Sequence, residues 1–580
     1  MKTDTLPTAA PAAAGKKHPK RSGAQVLIDC LLMHGVKHIF GYPGGANIPI
    51  YDVLYATPKI KHILVRHEQG ASHMADAYYR VSGKIGVCLA TSGPGATNLV
   101  TGICTAMMDS IPMIVLTGQV PSHLIGNDAF QEADVTGITR PITKHNYLVK
   151  DVNDLARVIH EAFHIATTGR PGPVLIDIPK DISKTIYDGP IDVPVDLPGY
   201  RTSRPPSRTQ IEKAAELVNN AERPLFYVGG GAVIAGAWRE IRDAAKRSGT
   251  PVTTTLMALG VYPSDDPLCL QMLGMHGTAA ANFAVTNCDV LVAIGARFDD
   301  RVTGKLSAFS PRSKKVHFDI DPSCINKNIT VEVPVVGDCR EAMKIFAKLL
   351  KPKERPDWYE MIDIWKKRHP MEYPKNRMCA QHVISEIHRI TEGDAVVTTD
   401  VGQHQMWTAQ FYGFKQPRNW VTSGGLGTMG FGLPAAIGAQ MVRPKDKVWS
   451  INGDGGILMN IQEMVTAKIQ KLPIKVVVIN NGFLGMVRQW QEFFENRHYS
   501  EVDLTGNPDF VEVAKAFGWE GRRVTKLEEV PAAIEWAQKY DKGPVLLDFI
   551  VEREDNVYPM VPAGGANDEM IFFPKDPVLV

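Results

Sequence analysis

Short apolar segments alternate with amphipathic ones along this chain, and residues 448–481 display the pattern most fully. Two runs rich in valine and isoleucine, VWSI and IKVVVI, flank a Gly-Asp-Gly-Gly turn and an apolar stripe at Ile457, Ile461, Met464 and Val465. The stripe has the i, i+4, i+7, i+8 spacing of an amphipathic helix, and the flanking runs are typical of parallel strands buried on both faces. The segment therefore predicts a strand–helix–strand unit.

The same alternation recurs in three parts of the chain. The apolar runs are HIFGYPGG, HILVRHE, GVCLATSGPG, PMIVLTGQ and GPVLIDIP, then PLFYVGGG, DVLVAIGAR and KVHFDID, and finally AVVTTDVG, the two runs above and GPVLLDFIV. Strands that alternate with helices predict an α/β protein with three doubly wound parallel-sheet domains. We expect a disordered leader at 1–22, domains at 23–190, 209–350 and 378–555, proline-dotted linkers at 191–208 and 351–377, and a tail at 556–580.

Composition narrows the function without naming it. The chain has 580 residues, 44% hydrophobic and 22% charged, with a formal net charge of +2. Its lysines and arginines are spread throughout, which gives no electrostatic footprint for nucleic acid or a membrane. No apolar run reaches the ~18 residues that span a bilayer. The eight cysteines lack a CxxC pair, which predicts reduced core thiols of a cytoplasmic protein and no zinc site.

Polar groups follow both strands of the 448–481 segment. Asp454 comes directly after the first strand and Asn481 directly after the second. Because the carboxyl ends of parallel strands share one edge of a sheet, these oxygen ligands should meet there, where Mg²⁺ bridging to phosphate is typical. Gly453, Gly455 and Gly456 would let phosphate approach backbone N–H groups. Taken singly, each motif is equally typical of a tight turn.

Together, Gly-Asp-Gly, a helix and Asn-Asn resemble the diphosphate motif of thiamine-diphosphate enzymes. RHEQGASHMADAYYR followed by ATSGPGATN resembles the aminopyrimidine-binding domain of the same enzymes. The resemblance implies that Glu68 hydrogen-bonds the N1′ atom of the cofactor. Without it, Glu68 would be interpreted as an acid at a helix N-terminus or as a partner of Arg66.

Residues from about 23 to 568 resemble the catalytic subunits of acetohydroxyacid synthase, also called acetolactate synthase. The segments that carry this resemblance are SGPGATNLVTGICTAMMDSIPMIVLTGQV, DAFQEAD, PITKHNYLV, GRPGPVLIDIPKDI, LGMHGTAAAN, GARFDDRVTGK, DVGQHQMW and MVRQWQ. The sequence departs from the pattern at Asn127, where a threonine is expected.

The resemblance implies two cofactors besides Mg²⁺, which Asp454, Asn481 and the backbone carbonyl of Phe483 would bind. The thiamine-diphosphate set is Glu68, Gly402, Gln403, His404, Met429, Gly453, Asp454, Gly455, Gly456, Asn481, Gly485 and Met486. The set for FAD, which would be structural and not redox-active, is Arg170, Gly229, Gly230, Gly231, Thr255, Leu256, Met275, His276, Gly295, Arg297, Asp300, Arg301, Asp319 and Asp338. Three glycines after a strand are by themselves more often a turn.

It also implies residues for catalysis and for substrate. The catalytic set is Glu68, Gln131, Lys180, Met429 and Trp490, and the substrate set is Gly45, Ala46, Phe130, Arg301, Val487 and Trp490. Met429 would hold the two cofactor rings in a bent form, Arg301 would bind a carboxylate, and Trp490 would pack against the extra methyl of 2-ketobutyrate. Alternatively, Met429 and Trp490 are core side chains and Arg301 belongs to a surface or flavin ion pair.

The implied activity is decarboxylation of pyruvate and ligation to a second 2-ketoacid, pyruvate or 2-ketobutyrate, in branched-chain amino-acid biosynthesis. The family further implies a homodimer or homotetramer with sites between subunits, a small regulatory subunit, and herbicides acting near Pro121, Ala46, Lys180 and Trp490. Three alternatives stay open: a flavin-dependent pyruvate oxidase, a glyoxylate carboligase, which has an apolar residue in place of Glu68, and a degenerate non-catalytic scaffold.

Overall fold

A computed structural model describes residues 18–202 and 205–574. Within these residues the chain forms three six-stranded sheets, in which every pairing is parallel, and one two-stranded antiparallel ribbon. The ribbon pairs Arg21–Ser22 with Ile186–Tyr187. The expected leader therefore ends in ordered structure at Arg21, and residues 1–17 of it lie outside the described residues.

The strands are given in their spatial order. The first sheet contains Lys61–Leu64, His38–Gly41, Gly86–Ala90, Met113–Gln119, Val174–Pro179 and His145–Leu148. The second contains Cys269–Met272, Val252–Thr254, Pro224–Val228, Val290–Ile294, Lys314–Asp319 and Val333–Val336. The third contains Trp420–Val421, Val396–Thr399, Val448–Gly453, Lys475–Asn480, Val545–Ile550 and Glu520–Val524.

Helices cover the sheets. Those around the first sheet are Gly23–Met33, Ile48–Tyr55, Glu68–Ser82, Pro94–Thr97, Val100–Met108, Val135–Thr139, Val152–Thr167 and Lys180–Lys184. Those in the second part are Arg208–Asn220, Gly230–Ala235, Trp238–Ser248, Ala279–Asn287, Asp300–Thr303, Cys339–Leu349 and Pro356–Arg368. Those in the third are Ala380–Thr391, Gln403–Phe411, Gly432–Val442, Glu463–Ile469, Gly485–Phe494, Phe510–Ala516 and Val530–Lys539.

Both faces of each sheet are buried, which confirms the expected α/β fold. In Gly86–Ala90, Val87 and Leu89 join one apolar core while Cys88 and Ala90 join the core on the opposite face. Residues on alternate sides of a strand therefore meet two helical layers, and this explains why the central strands lack a polar alternation.

The structure corrects the expected helix after Asp454. Ile457–Asn460 is a 3-10 turn, and the α-helix begins only at Glu463 and ends at Ile469. Of the four stripe residues, Ile457 and Met464 are buried, and Ile461 and Val465 are partly exposed. The apolar spacing thus predicted which side faces the core, but it did not predict where the helix begins.

Each sheet has a point at which the connections from two neighbouring strands leave in opposite directions. In the first sheet this point lies between His38–Gly41 and Gly86–Ala90, in the second between Pro224–Val228 and Val290–Ile294, and in the third between Val396–Thr399 and Val448–Gly453. Loops after two such strands leave in opposite directions and open a crevice at the carboxyl ends, where α/β proteins bind ligands.

The first and third sheets share a continuous core through two helices. Helix Glu68–Ser82 packs on helix Gly432–Val442, and a Cβ on Gly438 would lie 2.2 Å from the carbonyl oxygen of Met74. Only glycine permits this approach of two backbones. Glu463 Oε1 also accepts hydrogen bonds from the backbone N–H groups of Arg66 (2.9 Å) and His67 (3.0 Å). The start of the Glu68 helix is therefore fixed to the third sheet.

All eight cysteines are free thiols, and seven of them are buried. None of the helices in the described residues is both long and apolar enough to cross a membrane.

Asp177 provides a test of the first core. It accepts hydrogen bonds from Thr117 Oγ1 (2.7 Å) and Gln119 Nε2 (3.0 Å), yet burial raises the pKa of its carboxyl to about 7. The folded chain then keeps a proton that the unfolded chain releases above about pH 4. The protonated Asp177 carboxyl therefore makes its full contribution to the free energy of unfolding below about pH 4, and this contribution is lost as the pH rises towards 7. The loss is about 1.4 kcal/mol per pH unit.

Asp177→Asn keeps the shape and removes the titration, so its thermal unfolding midpoint should exceed that of the wild type at pH 8 and match it near pH 4. Asp188→Asn, which changes an exposed carboxylate, is the control. An equal dependence on pH in the wild type and in Asp177→Asn would contradict the prediction.

Candidate functional site

A small cavity of about 60 Å³ opens at the crevice of the third sheet. Its lining contains most of the expected diphosphate and metal residues: Gly402, Gln403, His404, Met429, Gly453, Asp454, Gly455, Gly456, Asn481, Phe483, Gly485 and Met486. The strand ends at Gly453 and Asn480 bring Asp454 and Asn481 together across the crevice. The structure thus gathers residues that are far apart in the sequence.

Asp454 is a buried carboxylate that has only neutral hydrogen-bond donors beside it. Its Oδ2 accepts from the N–H of Gly482 (2.8 Å), and its Oδ1 accepts from the N–H of Gly455 (3.2 Å). Burial raises the pKa of this carboxyl to about 7, because the charged form loses its hydration. A divalent cation would offset that cost, so the site fits Mg²⁺.

Asn481 contacts the helix that follows Gly402. Its Oδ1 accepts from the N–H of Phe483 (3.2 Å), and its Nδ2 donates to Gln403 Oε1 (3.4 Å). No three His, Cys, Asp or Glu side chains of the described ranges cluster as metal ligands. A metal here would therefore need amide and carbonyl oxygens beside Asp454, as the expected set proposes.

The glycines of this crevice make room for neighbouring side chains as well as for a ligand. A Cβ on Gly453 would lie 2.9 Å from His404 Nδ1, and one on Gly485 would lie 2.1 Å from Gln403 Oε1. His404 Nε2 is buried without a hydrogen-bond partner in the parts that the structure describes. Burial lowers the pKa of His404 to about 3, so a neutral ring is available to a ligand.

Asp400 is a residue that sequence reasoning missed. It is fully buried, its Oδ1 accepts from the N–H of Gly430 (2.6 Å), and burial raises the pKa of its carboxyl to about 7. Its Oδ2 has no partner among residues 18–202 and 205–574, and a Cβ on Gly456 would overlap it. The signal was its place directly after the strand Val396–Thr399, at the crevice.

A larger cavity of about 660 Å³ lies where the second sheet meets the other two. Thirteen of the fourteen residues expected at FAD line it: Arg170, Gly229, Gly230, Gly231, Thr255, Leu256, Met275, His276, Gly295, Arg297, Arg301, Asp319 and Asp338. Asp300 is the exception, because its side chain is 79% exposed beside Arg301. Its neighbour Asp299 lines the cavity, and a contact of Asp300 with the flavin stays a prediction.

The larger cavity has the size and the polar groups that a dinucleotide requires. Gly229 and Gly295 end the two strands at the crevice, and a Cβ on Gly229 would lie 2.3 Å from the carbonyl oxygen of Gly295. Tyr227 Oη and Thr255 Oγ1 are buried there without hydrogen-bond partners in the described chain. A ligand that offers hydrogen bonds would satisfy both groups, so the residues fit FAD.

Met429 and Met486 line both cavities, as do Val487 and Gly402. Trp490 lines the larger cavity, and the guanidinium carbon of Arg301 lies 5.6 Å from the centre of its ring. The expected carboxylate-binding arginine and the expected specificity residue are therefore adjacent, although 189 residues separate them in the sequence numbering.

Glu68 lies at the crevice of the first sheet and lines neither cavity. It is 9% exposed, and its Oε2 accepts from Asn98 Nδ2 (2.9 Å). A Cβ on Gly95 would lie 3.2 Å from its Oε1. The side chain of Arg66 donates to the carbonyl oxygens of residues 64 and 65, so the ion pair with Glu68 is not formed.

The remaining expected residues surround this first crevice, outside both cavities. Ala46 donates its N–H to Thr91 Oγ1 (3.3 Å), the carbonyl oxygen of Gln131 would lie 2.8 Å from a Cβ on Gly93, and Lys180 begins the helix that follows Val174–Pro179. Gly45 adjoins Ala46, and Phe130 is 88% exposed. In one chain, the structure does not bring these residues to Asp454.

Comparisons with known proteins agree with this division. Three family models of thiamine pyrophosphate enzymes match: the N-terminal TPP binding domain at residues 21–138, the central domain at 211–346 and the C-terminal TPP binding domain at 400–549. The chain is 50% identical to an acetolactate synthase large subunit of Parasynechococcus marenigrum (strain WH8102) over 574 residues, 96% of this chain and 92% of that protein.

The chain belongs to the acetolactate synthase large-subunit family. Two further members support the assignment. It is 48% identical to the large subunit of Corynebacterium glutamicum (95% of this chain, 90% of that protein) and 49% identical to that of Porphyra purpurea (96% of each). The family's TPP binding domains coincide with the first and third crevices, which identifies thiamine diphosphate as the cofactor.

The last part of the chain also contacts both cavities, which sequence reasoning did not foresee. Gln403 Nε2 donates to Gln489 Oε1 (2.9 Å) and to the carbonyl oxygen of Asp555 (2.8 Å). The N–H of Val561 donates to the carbonyl oxygen of Met275 (2.8 Å). The segment after the third sheet thus ties the helix that carries Trp490 to the second sheet.

We predict that Asp454→Asn weakens the binding of Mg²⁺ with thiamine diphosphate at least about tenfold to a hundredfold, since even outer-shell changes produce losses of that size. Calorimetric titration measures the affinity, and chelation of the metal should release the cofactor from the wild type. Asp503→Asn, an exposed carboxylate 56% accessible, is the control. Unchanged affinity in Asp454→Asn would contradict the assignment of this residue.

Proposed function

We propose that this chain is the catalytic subunit of an acetohydroxyacid synthase. It would decarboxylate pyruvate and join the remaining two-carbon unit to pyruvate or 2-ketobutyrate, giving 2-acetolactate or 2-aceto-2-hydroxybutyrate. One observation carries the proposal: the two cavities share a wall formed by Met429, Met486 and Val487. The buried carboxylate of Asp454 lies in the smaller cavity, and Trp490 lies in the larger one. Similarity over nearly the whole chain supports the same reaction.

The third crevice would hold the diphosphate end of the cofactor. Asp454, Asn481 and the carbonyl of Phe483 would bind Mg²⁺, and His404 and Gln403 would contact the phosphates. Thiamine diphosphate, when bound, supplies a thiazolium ring that accepts the electron pair released as pyruvate loses carbon dioxide. Met429 would keep the reactive end of the cofactor near the wall that both cavities share.

Glu68 would hold a proton at the aminopyrimidine ring. Asn98 Nδ2 fixes one carboxyl oxygen by a 2.9 Å hydrogen bond and leaves Oε1 for the cofactor. A hydrogen bond to a charged group contributes roughly 1.5–3 kcal/mol. The presence of this glutamate supports the synthase over a glyoxylate carboligase, in which the resembling position is apolar.

Arg301 and Trp490 would select the substrates. The guanidinium of Arg301 is 60% exposed towards the larger cavity, where a 2-ketoacid carboxylate could form two parallel hydrogen bonds with it. Trp490 lies beside it and offers an apolar ring to the acceptor's side chain. One methylene contributes only about 1–3 kcal/mol, which limits the preference that this ring can supply.

FAD would fill the larger cavity as a structural element. The proposed reaction transfers no net electrons, so the flavin need not change its redox state. Flavin reduction in step with turnover would instead favour a pyruvate oxidase. We also propose a small regulatory subunit, which the relatives' description as large subunits supports.

The site would form between two chains. Glu68 lies at the first crevice and Asp454 at the third, and neither of the two cavities described above contains both. A second copy that supplies its first crevice would bring Glu68, Gln131 and Lys180 to the cofactor. This arrangement supports a homodimer as the smallest active form.

Mixing two inactive variants tests the shared site. Glu68→Gln should lower the rate at least tenfold, and Asp454→Asn should lose the cofactor. If each site joins two chains, one of the two sites in a mixed dimer combines Glu68 of the Asp454→Asn chain with Asp454 of the Glu68→Gln chain. Both residues are then intact in that site. Random reassociation of equal amounts should then restore about a quarter of the wild-type acetolactate formation, because about half of the dimers are mixed and each has one intact site of two.

Colorimetric assay of acetolactate after co-denaturation and refolding measures the recovery, with each variant refolded alone as the control. No recovery, together with dimers in which the two chains are shown to be mixed, would place Glu68 and Asp454 of a single chain in one site.

Trp490→Leu should shift the acceptor preference from 2-ketobutyrate towards pyruvate by about 10-fold or more, within the limit that one methylene sets. A competition assay with both 2-ketoacids measures the ratio of products. Trp536→Leu, which changes an indole that contacts Arg522, is the matched control. An unchanged ratio in Trp490→Leu would remove the specificity role.

A further inference from the structure

Residues 423–430 form a loop that borders both cavities. Ser423, Gly424, Gly425 and Gly427 line the larger cavity, and Met429 lines both. A displacement of this loop would therefore change the walls of the proposed flavin and thiamine sites at the same time. The hydrogen bonds that hold the loop therefore affect both sites.

The end of the loop near Met429 is held by its own domain. The N–H of Gly430 donates to Asp400 Oδ1 (2.6 Å), and the carbonyl oxygen of Gly430 accepts from Asn460 Nδ2 (2.8 Å). The N–H of Thr428 donates to Ser423 Oγ (3.0 Å). Gln405 Nε2 of the same domain donates to the carbonyl oxygen of Ser423 (3.2 Å). These contacts leave the N–H groups of Gly424 and Gly425 to another partner.

That partner belongs to the first domain. Asp109, directly after helix Val100–Met108, accepts from the N–H of Gly424 at Oδ2 (3.1 Å) and from the N–H of Gly425 at Oδ1 (2.7 Å). The hydroxyl of Thr428 lies 2.7 Å from that of Thr105 on the same helix. Hydrogen bonds to an ionised acceptor are shorter and stronger than neutral ones.

The charge of Asp109 is balanced inside the protein. Arg80 Nη2 donates to Asp109 Oδ2 (2.8 Å), and the same guanidinium pairs with Asp76. The Asp109 side chain is only 2% exposed, so water does not replace the loop contacts. The carboxylate is thus held in one orientation, and both of its oxygens are committed.

The segment that carries Asp109 also forms part of the larger cavity. Met108, Asp109 and Ser110 line it, the carbonyl oxygen of Met108 accepts from Arg297 Nη1 (3.1 Å), and Ser110 Oγ accepts from Arg170 Nε (2.9 Å). Ser110 has φ +59°, in the left-handed region that favours glycine. Its hydroxyl gives a reason for serine there, because glycine could not accept from Arg170.

We propose that Asp109 is a positioning residue that holds the 423–430 loop, and through it links occupancy of the larger cavity to the thiamine site. Two cavity arginines contact the segment 108–110, Asp109 contacts the start of the loop, and Met429 lies near its end. A ligand that orders the arginines would thereby order the wall of the second cavity. The inference rests on the proposed function, which names the two ligands.

Asp109→Asn tests the link with little change of shape. An amide nitrogen replaces one acceptor oxygen, so Gly424 or Gly425 must lose its hydrogen bond. The Kd of thiamine diphosphate is measured with Mg²⁺ by calorimetry, without and with FAD, and the Kd ratio is the first value divided by the second. This ratio should be at least about five in the wild type. It should fall to near one in the variant, because coupling between sites is reciprocal and depends on the connecting contacts. The kcat should fall at least about tenfold with less change in the KM for pyruvate.

A second measurement needs no cofactor. Amide hydrogen exchange of a peptide containing Gly424 and Gly425 in the full-length protein without FAD or thiamine diphosphate should be at least about tenfold faster in Asp109→Asn. Asp76→Asn is the matched control, because it removes the other carboxylate of Arg80 and has no contact with the loop among the described residues. It should leave both the exchange of this peptide and the Kd ratio close to the wild type.

The outcomes separate the two hypotheses. Unchanged exchange in Asp109→Asn, an equal Kd ratio in the variant and the wild type, or equal effects of Asp76→Asn would each overturn the role of Asp109. A wild type that binds no thiamine diphosphate would overturn the proposed function, and the link with it, whatever the exchange result. If Asp109→Asn does not fold, Thr105→Val removes the hydroxyl contact at unchanged volume and should lower the Kd ratio in the same direction.

Discussion

The contact between helix Glu68–Ser82 and helix Gly432–Val442 determines how the first and third sheets face each other. The approach is close enough that a Cβ on Gly438 would overlap the carbonyl oxygen of Met74, and one on Gly70 would lie 2.7 Å from Glu463 Oε1. Each helix leads into a strand at the crevice of its sheet, Gly86–Ala90 or Val448–Gly453, so packing the helices together fixes the orientation of both crevices. Glu68 is the first residue of its helix, so its position is fixed by the same contact.

The three sheets place ligand sites by one rule. In each sheet, two neighbouring strands lead to connections on opposite sides and so open a crevice. The residues at the crevice differ from one sheet to the next. The second crevice has glycines that allow backbone to approach backbone, the third has a buried carboxylate and a neutral histidine, and the first has a buried glutamate held by Asn98. The three domains share one topology, and the ligand that each would bind depends on the side chains at its crevice.

The sequence predicted the central strands and the crevice residues because both have local signals. Continuous apolar runs mark strands with two buried faces, and polar residues directly after them mark the crevice. Two of the strands it missed, His145–Leu148 and Glu520–Val524, are at sheet edges, where one side faces solvent and the apolar run is absent. Asp300 was expected at the flavin because GARFDDR offers two adjacent carboxylates, and only the turn geometry decides that Asp299 faces the cavity.

Contacts between distant parts of the chain could not be predicted in this way. Asp109 follows an ordinary amphipathic helix, and nothing near it in the sequence indicates that Gly424 and Gly425 donate to it. Asp400 has the local signal, because it directly follows the strand Val396–Thr399, but nothing near it in the sequence indicates that Gly430 donates to it. Such residues become visible only when burial and hydrogen bonding are known together, because a buried carboxylate requires a partner and the partner identifies its role.

Burial of these carboxylates also explains how cofactor binding and folding are connected. Asp454 and Asp400 both have a pKa raised to about 7 by burial, and neither has an arginine or lysine as its hydrogen-bond partner. Asp400 is used for the backbone of Gly430, but Asp454 faces the cavity and keeps its acceptor capacity for a cation. At Asp454 the fold therefore places an unfavourable charge where a metal would neutralise it. Binding that favours only the folded state adds to stability, so a residue that destabilises the ligand-free protein is one through which the ligand would stabilise it.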